Sequence, residues 1–103
     1  MSTYVFIIII QNIYTNNEVI SVMFIPMLDS KTVGQVIAEY RKKKNISQEV
    51  LSGLSDIGRT HLSAIERGER KPTLETLYRI CCALNVPMSQ VMAEIEKRIS
   101  NQN

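Results

Sequence analysis

Apolar residues recur at helical spacing along the chain from residue 30 onwards. Val36 and Ile37 follow Val33 by three and four positions, a spacing that places side chains on one face of an α-helix. Five stretches repeat such a pattern, and each ends at residue types that favour turns or helix breaks. The pattern predicts an all-α domain of five short helices over residues 30–100. The breaks fall at Asn45, at Asp56 to Gly58, at Gly68 to Pro72, and at Asn85 to Pro87.

The starts and the buried faces of these helices are predicted from the same pattern. Thr32 followed by Gln35 matches a capping box at the start of the first helix, and Ser47 is suited to cap the second. Asn45 is suited to a left-handed helix stop. Helical spacing places the following residues of the second and fourth helices in the core: Leu51, Leu54, Leu74, Leu77, Tyr78, Cys81 and Leu84.

The amino-terminal part of the chain differs from the rest. Two apolar runs, Val5 to Ile10 and Val19 to Ile25, flank the polar segment Gln11 to Glu18. A transmembrane helix needs about 20 mostly apolar residues, so the polar segment argues against a membrane span. No basic residue precedes the first run, which argues against a secretory signal. The β-branched content and the turn residues Thr15 to Asn17 predict a β-hairpin, which must bury one face against the helical domain or a second subunit.

The chain divides into three parts in this interpretation. An apolar extension covers residues 1–29, the helical domain covers 30–100, and a short tail covers 101–103. The alternative to a hairpin is that Met23 or Met27 is the natural start and that the preceding residues are a read-through leader. With 103 residues, the chain suits a single domain with a modest core and leaves no room for a separate sensor or catalytic domain.

Positive charge is concentrated in the helical domain. The formal net charge is only +2, but every Lys and Arg lies at or after Lys31. Residues 41–71 hold eight basic and four acidic side chains, a clustering that favours a polyanionic partner; an ordinary solvated surface is the alternative. The basic residues are Arg41, Lys42, Lys43, Lys44, Arg59, Arg67, Arg70 and Lys71.

The reactive side chains form no recognisable catalytic or metal site in the sequence. Cys81 and Cys82 are adjacent in a predicted helix, where neighbouring side chains point about 100° apart, so a disulfide between them is disfavoured. The chain has one histidine, no Cys/His spacing for zinc, no Gly-rich phosphate loop and no carboxylate pair at a catalytic spacing. We therefore expect no enzymatic activity, no metal and no cofactor.

The third predicted helix, residues 59–67, has an outer face of small and hydrogen-bonding side chains. Leu62 and Ile65 point to its opposite, buried side. Small side chains let a helix approach another surface closely, and hydroxyl and guanidinium groups match base edges and phosphates. Gln48 begins the preceding helix, where backbone N–H groups attract phosphate. The outer face carries Thr60, Ser63, Ala64 and Arg67, with Arg59 beside them.

Residues 47–87 read SQEVLSGLSDIGRTHLSAIERGERKPTLETLYRICCALNVP, and this segment resembles the phage-repressor (Cro/CI, or XRE-like) helix-turn-helix family. The resemblance extends over residues 31 to about 90 without gaps. It implies a DNA-binding domain whose third helix enters the major groove. The matching positions are Gln48, Leu51, Ile57, Arg59, Leu62, Ile65, Glu66, Gly68, Pro72, Leu77 and Leu84.

The resemblance also implies roles for individual residues. A partly buried ion pair between Arg41 and Glu66 is expected to orient the first and third helices. Val50 departs from the family pattern, because a polar residue is usual there, and it is expected to be exposed or to pack on the extension. The residues implied to read base edges are Arg59, Thr60, Ser63 and Ala64. Those implied to contact the DNA backbone are Gln48, Arg67, Arg70 and Lys71.

The predicted function is a sequence-specific DNA-binding transcriptional regulator that binds a palindromic operator as a homodimer. Small controllers of autoregulated operons, including those of restriction–modification systems, are similar in size and layout. We expect a cytoplasmic protein of bacterial or phage origin that binds double-stranded DNA, with no membrane contact and no small-molecule ligand. An antitoxin-like or other protein-interaction module, with DNA binding secondary, is the alternative. The expected dimer contact is the apolar stripe of the fifth helix, with simple core as its alternative: Val91, Met92, Ile95 and Ile99.

Overall fold

Five helices follow one another between residues 30 and 101 of the computed structural model, which describes residues 3–7 and 26–101. Residues 3–7 form a further short helical segment, and the described ranges contain no strand. The described part of the chain is therefore all-helical, as predicted, with one helical segment more than the five expected. The five helices are α1 (Ser30–Lys43), α2 (Gln48–Ser55), α3 (Arg59–Glu66), α4 (Leu74–Leu84) and α5 (Met88–Asn101).

Polar side chains at the helix starts accept hydrogen bonds from the first backbone N–H groups. The Asp29 carboxylate caps α1 by accepting from the N–H groups of Lys31 and Thr32, and it also accepts from the Thr32 hydroxyl at 2.6 Å. The Ser47 hydroxyl caps α2 by accepting from a backbone N–H at 3.1 Å. The capping box predicted at Thr32 and Gln35 is wrong, because Asp29 caps the helix three residues earlier and Thr32 lies buried in its first turn.

Left-handed backbone conformations follow four of the helices. Asn45, Asp56 and Asn85 have φ angles of 57°, 54° and 56°, and Gly68 has a φ of 78°. Asn and Asp tolerate this region better than most residues, and glycine adopts it without steric cost. The turn residues in the sequence therefore stop the helices, and the left-handed stop predicted at Asn45 is present.

The core is built from apolar side chains of all five helices. Three of the residues predicted to be buried are instead 59% to 72% exposed: Leu54, Leu74 and Tyr78. Leu54 and Tyr78 lie beside the stripes that their helices bury, because the spacing of apolar residues does not fix how wide a stripe is. Leu74 is the first residue of its helix. The buried apolar residues are Val33, Val36, Ile37, Leu51, Leu62, Ile65, Leu77, Ile80, Cys81, Leu84, Val91 and Ile95.

The apolar stripe of α5 belongs to this core. Val91 and Ile95 are only 1% and 0% exposed within a single chain, and Met92 and Ile99 are partly buried against the same cluster. The dimer contact predicted for this stripe stays a prediction, but Val91 and Ile95 are core residues within one chain. The physical reason is that α5 folds back against α1 and α4, which cover it. The alternative, that the stripe is simple core, describes these two residues correctly.

The amino-terminal segment is helical where the first strand of a hairpin was expected. Residues 5–7 lie in the helical segment 3–7, and the Thr3 hydroxyl donates to the Ser100 hydroxyl of α5 at 2.7 Å. The strand prediction is therefore wrong for residues 5–7, because a short apolar run fits a helix as well as a strand. Residues 8–25, with the predicted turn and second strand, lie outside the described residues. No helix in the described ranges is both long enough and apolar enough to cross a membrane.

α1 and α3 cross at a point where only glycine fits. Gly34 is buried, and a side-chain carbon added there would overlap the carbonyl oxygens of Ile65 and Glu66. Gly53 in α2 is exposed, and a carbon added there would meet no atom within 4 Å. Gly34 therefore permits the close approach of α3 to α1, whereas Gly53 only lowers the helix propensity of α2.

Replacing Gly34 by alanine is predicted to lower the free energy of unfolding by about 1–3 kcal/mol, because the added methyl group forces α1 and α3 apart. The matched change Gly53→Ala is predicted to raise it by up to about 1 kcal/mol, because alanine has the higher helix propensity. Urea denaturation of both variants and of the unchanged protein measures the two effects. Effects of the same sign and size would contradict the close approach of the two helices.

Candidate nucleic-acid interface

Two short helices, α2 and α3, are joined by a turn of three residues, Asp56 to Gly58. Asp56 takes the left-handed conformation that ends α2, and the N–H of Ile57 donates to the carbonyl of Ser52 at 3.0 Å. Gly58 occupies the cap position of α3 but has no side chain to accept from the first N–H groups of that helix. The turn is therefore closed by backbone hydrogen bonds and brings α3 directly across the end of α2.

One side of α3 is buried and the other is presented outwards. Leu62 and Ile65 are fully buried in the core. Residues 59, 60, 63 and 64 share the opposite side, because positions four apart lie above one another on a helix. These four side chains are exposed or half-buried: Arg59, Thr60, Ser63 and Ala64. The structure thus brings together, on one surface, the side chains predicted to read bases.

A buried ion pair fixes α3 relative to α1. Arg41 Nε donates to Glu66 Oε2 at 2.7 Å, and Arg41 Nη2 donates to Glu66 Oε1 at 2.9 Å. The two side chains are only 12% and 5% exposed. Arg41 Nη1 also donates to the carbonyl of Ile46 at 3.0 Å, in the segment between α1 and α2. The hydrogen bonds to Glu66 raise the pKa of the Arg41 guanidinium above its ordinary value, so Arg41 is charged at neutral pH.

Gln48, predicted to contact the DNA backbone, completes this cluster. It is the first residue of α2, and its Nε2 donates to Glu66 Oε1 at 3.0 Å. The Glu66 carboxylate therefore accepts three hydrogen bonds and joins α1, α2 and α3. Arg70 and Lys71, also predicted to contact the backbone, are exposed in the segment between α3 and α4.

Arg67, at the carboxyl end of α3, is held by a residue that the sequence did not single out. Its Nε and Nη2 donate to the two carboxylate oxygens of Glu69 at 3.1 and 2.8 Å, and its Nη1 donates to the Ser63 hydroxyl. The hydrogen bonds from Arg67 lower the pKa of the Glu69 carboxyl below its ordinary value, so Glu69 is ionised at neutral pH. The signal in the sequence is the helix stop at Gly68, which turns the chain back and brings residues 67 and 69 together.

The chemistry of this surface is hydrogen bonding and positive charge. Burial raises the pKa of the Cys81 thiol to about 11, so Cys81 is a protonated core residue. Residues 3–7 and 26–101 contain no group of three or more side chains suited to hold a metal ion. The donors and acceptors on the outer side of α3 are instead the groups that bind base edges and phosphates.

Glu66→Ala is predicted to lower the free energy of unfolding by about 3–5 kcal/mol, because it leaves the Arg41 charge buried without its partner. Glu75→Ala is the matched control, because Glu75 forms an exposed ion pair with Arg79 at 3.3 Å, and exposed pairs contribute about 1 kcal/mol or less. Urea denaturation measures both variants. A Glu66 variant as stable as the Glu75 variant would contradict an orienting role for the buried pair.

Known proteins match most of the helical region. A family model described as helix-turn-helix matches residues 37–91. The ImmF control region 10 kDa protein of Bacillus phage phi105 is 37% identical over 71 residues, which are 68% of this chain and 79% of the phage protein. The control protein C.MunI of a Mycoplasma species is 35% identical over 65 residues, 62% of this chain and 88% of that protein. The crystal structure of the restriction-modification controller protein C.AhdI from Aeromonas hydrophila matches with a TM-score of 0.60 at 31% identity, and the match covers 63% of this chain and 98% of that one.

Proposed function

Because the chain belongs to the XRE-like helix-turn-helix family, we propose that it is a sequence-specific DNA-binding transcriptional regulator. The observation that carries the proposal is the outer face of α3, where small and hydrogen-bonding side chains lie opposite a fully buried apolar face. The buried pair of Arg41 and Glu66 supports it, because a helix that reads bases needs a fixed orientation.

In the proposed complex, α3 lies in the major groove, which is about 12 Å wide and admits an α-helix. Arg59 carries a fork of donors that matches O6 and N7 of guanine, and the hydroxyl groups of Thr60 and Ser63 can donate or accept. Ala64 is small enough for close approach and suits the methyl group of thymine. Together these side chains supply the sequence preference of the proposed regulator.

The proposed contacts to the DNA backbone supply affinity. Arg70 and Lys71 are exposed after α3, where their charges reach phosphates without reading bases. Gln48 lies at the amino end of α2, where backbone N–H groups favour phosphate, although its side-chain amide also donates to Glu66.

We further propose that two copies of the chain bind a palindromic operator, with the two α3 helices about 34–36 Å apart. Since Val91 and Ile95 are buried in each subunit, the contact between subunits must use other residues. Exposed apolar side chains on α2 and α4 support a contact there, because a second copy that covers them removes apolar surface from water. These side chains are Val50, Leu54, Leu74 and Tyr78.

The names of the relatives suggest the kind of control. Similar chains include a control protein and a restriction-modification controller protein. A phage immunity repressor protein is also 35% identical over 63 residues. We therefore propose that this chain controls transcription of a small operon that includes its own gene, and we assign it no catalytic role.

Arg59→Ala and Ser63→Ala are predicted to weaken binding to the operator by about 1–3 kcal/mol and to affect a scrambled duplex less, because only the operator offers the matching base edges. Lys71→Ala is predicted to weaken binding to both duplexes alike and to lower the slope of log K against log salt by about one, because it removes a phosphate contact. Fluorescence anisotropy at two or more salt concentrations, with DNA from upstream of the protein's own gene, measures these effects.

A preference of the unchanged protein for the upstream duplex of about a thousandfold supports the proposed function. Equal losses from all three substitutions on both duplexes would mean that α3 does not read bases. Weak and equally salt-dependent binding of the unchanged protein to both duplexes would favour the alternative function, an antitoxin-like or other protein-interaction module in which DNA binding is secondary.

A further inference from the structure

The chain that follows α3 places a carboxylate against the proposed DNA surface. Glu69 lies two residues after Arg67, beyond the left-handed Gly68. The Glu69 N–H donates to the carbonyl of Ala64 at 2.9 Å, and the Gly68 N–H donates to that of Ile65 at 3.0 Å. These hydrogen bonds close the end of α3 and fix the backbone that carries the Glu69 carboxylate.

The guanidinium of Arg67 is shared between this carboxylate and the base-reading face. Two of its nitrogens bind the two oxygens of Glu69, in the forked geometry that suits an arginine and a carboxylate. Its third nitrogen donates to the hydroxyl of Ser63, one turn earlier on α3. Arg67 therefore lies back along the outer face of α3, and the charges of Arg67 and Glu69 cancel.

This arrangement changes what Arg67 offers to DNA. An arginine without a partner at the end of α3 would bind any phosphate within reach and would raise affinity for every sequence alike. Arg67 must first give up two hydrogen bonds to Glu69, and it then leaves a carboxylate near the negatively charged backbone. Both effects oppose phosphate binding. A base edge that meets Arg67 and Ser63 together does not require Arg67 to leave Glu69.

We propose that Glu69 is a specificity-determining positioning residue. It holds the guanidinium of Arg67 against the Ser63 hydroxyl, so that these two side chains read a base together, and it keeps Arg67 from the phosphates of non-cognate DNA. The inference rests on the proposed function, because it concerns the same DNA surface. Glu69 acts through Arg67 and requires no DNA contact of its own.

The test compares Glu69→Gln with the unchanged protein on two duplexes. One is the duplex that the unchanged protein selects from a randomised library, and the other is a scrambled version of it. On the scrambled duplex, the variant should bind about fivefold more tightly at roughly 0.15 M salt, with a slope of log K against log salt steeper by about one, because Arg67 gains a phosphate. On the selected duplex, its affinity should stay within about twofold, because the base edges hold Arg67 in place. The preference between the duplexes therefore falls several-fold.

Glu39→Gln is the matched control, because it removes the same charge from an exposed ion pair. In this pair, Glu39 of α1 binds Arg98 of α5 at 2.5 Å. It should leave the preference between the duplexes unchanged. The effect of Glu69→Gln must also depend on Arg67. In a protein that already carries Arg67→Gln, adding Glu69→Gln should change neither the preference nor the salt slope.

Several outcomes would overturn the inference. An equal rise in affinity on both duplexes would mean that Glu69 acts only by repelling DNA phosphates. A change in preference caused by Glu69→Gln in the absence of Arg67 would lead to the same conclusion. A loss confined to the selected duplex would mean that Glu69 itself reads a base. If the unchanged protein selects no sequence from the library, the proposed function fails together with the inference; if it selects one and the preference survives Glu69→Gln, only the inference fails.

Discussion

An ion pair between Arg41 and Glu66 holds α1, α2 and α3 in one arrangement. The Glu66 carboxylate accepts from Arg41 in α1 and Gln48 in α2, while Arg41 also binds the backbone before α2. The last residue of α3 is thereby tied to both preceding helices. A buried pair of this kind adds little net stability relative to apolar packing, but losing one partner is costly. Its contribution here is to orient α3, and the close approach allowed by Gly34 serves the same end.

Once α3 is held in this way, its two sides have separate roles. The buried side closes the core, and the outer side carries Arg59 beside the short side chains of Thr60, Ser63 and Ala64, which permit close approach to another surface. A long basic side chain that reaches phosphates instead of base edges binds DNA of any sequence. Arg67 also lies back along that side, where it is paired with Glu69. In the proposed complex, sequence preference then arises because Arg59 meets base edges, Glu69 neutralises Arg67, and the free charges of Arg70 and Lys71 lie beside the base-reading face.

The sequence alone predicted the features that depend on neighbouring residues or on a family pattern. The left-handed stop at Asn45, the buried side of α3 and the expected pair of Arg41 and Glu66 all correspond to what the structure contains. Features that depend on packing between distant segments were not predicted correctly. Periodicity did not show that α5 is covered within its own chain, that residues 5–7 are helical, or that Leu54, Leu74 and Tyr78 lie outside the core. The Glu69 contact was missed because it requires the side-chain geometry beyond a helix stop.

The most direct test of the central claim, that α3 reads the major groove, is dimethyl sulfate footprinting on the selected duplex. The reagent methylates N7 of guanine in the major groove and N3 of adenine in the minor groove. We expect protection of guanine N7 in two half-sites whose centres lie about 10–10.5 base pairs apart, or a multiple of that distance. Protection of adenine N3 with guanine N7 left reactive would contradict it, because α3 would then lie outside the major groove.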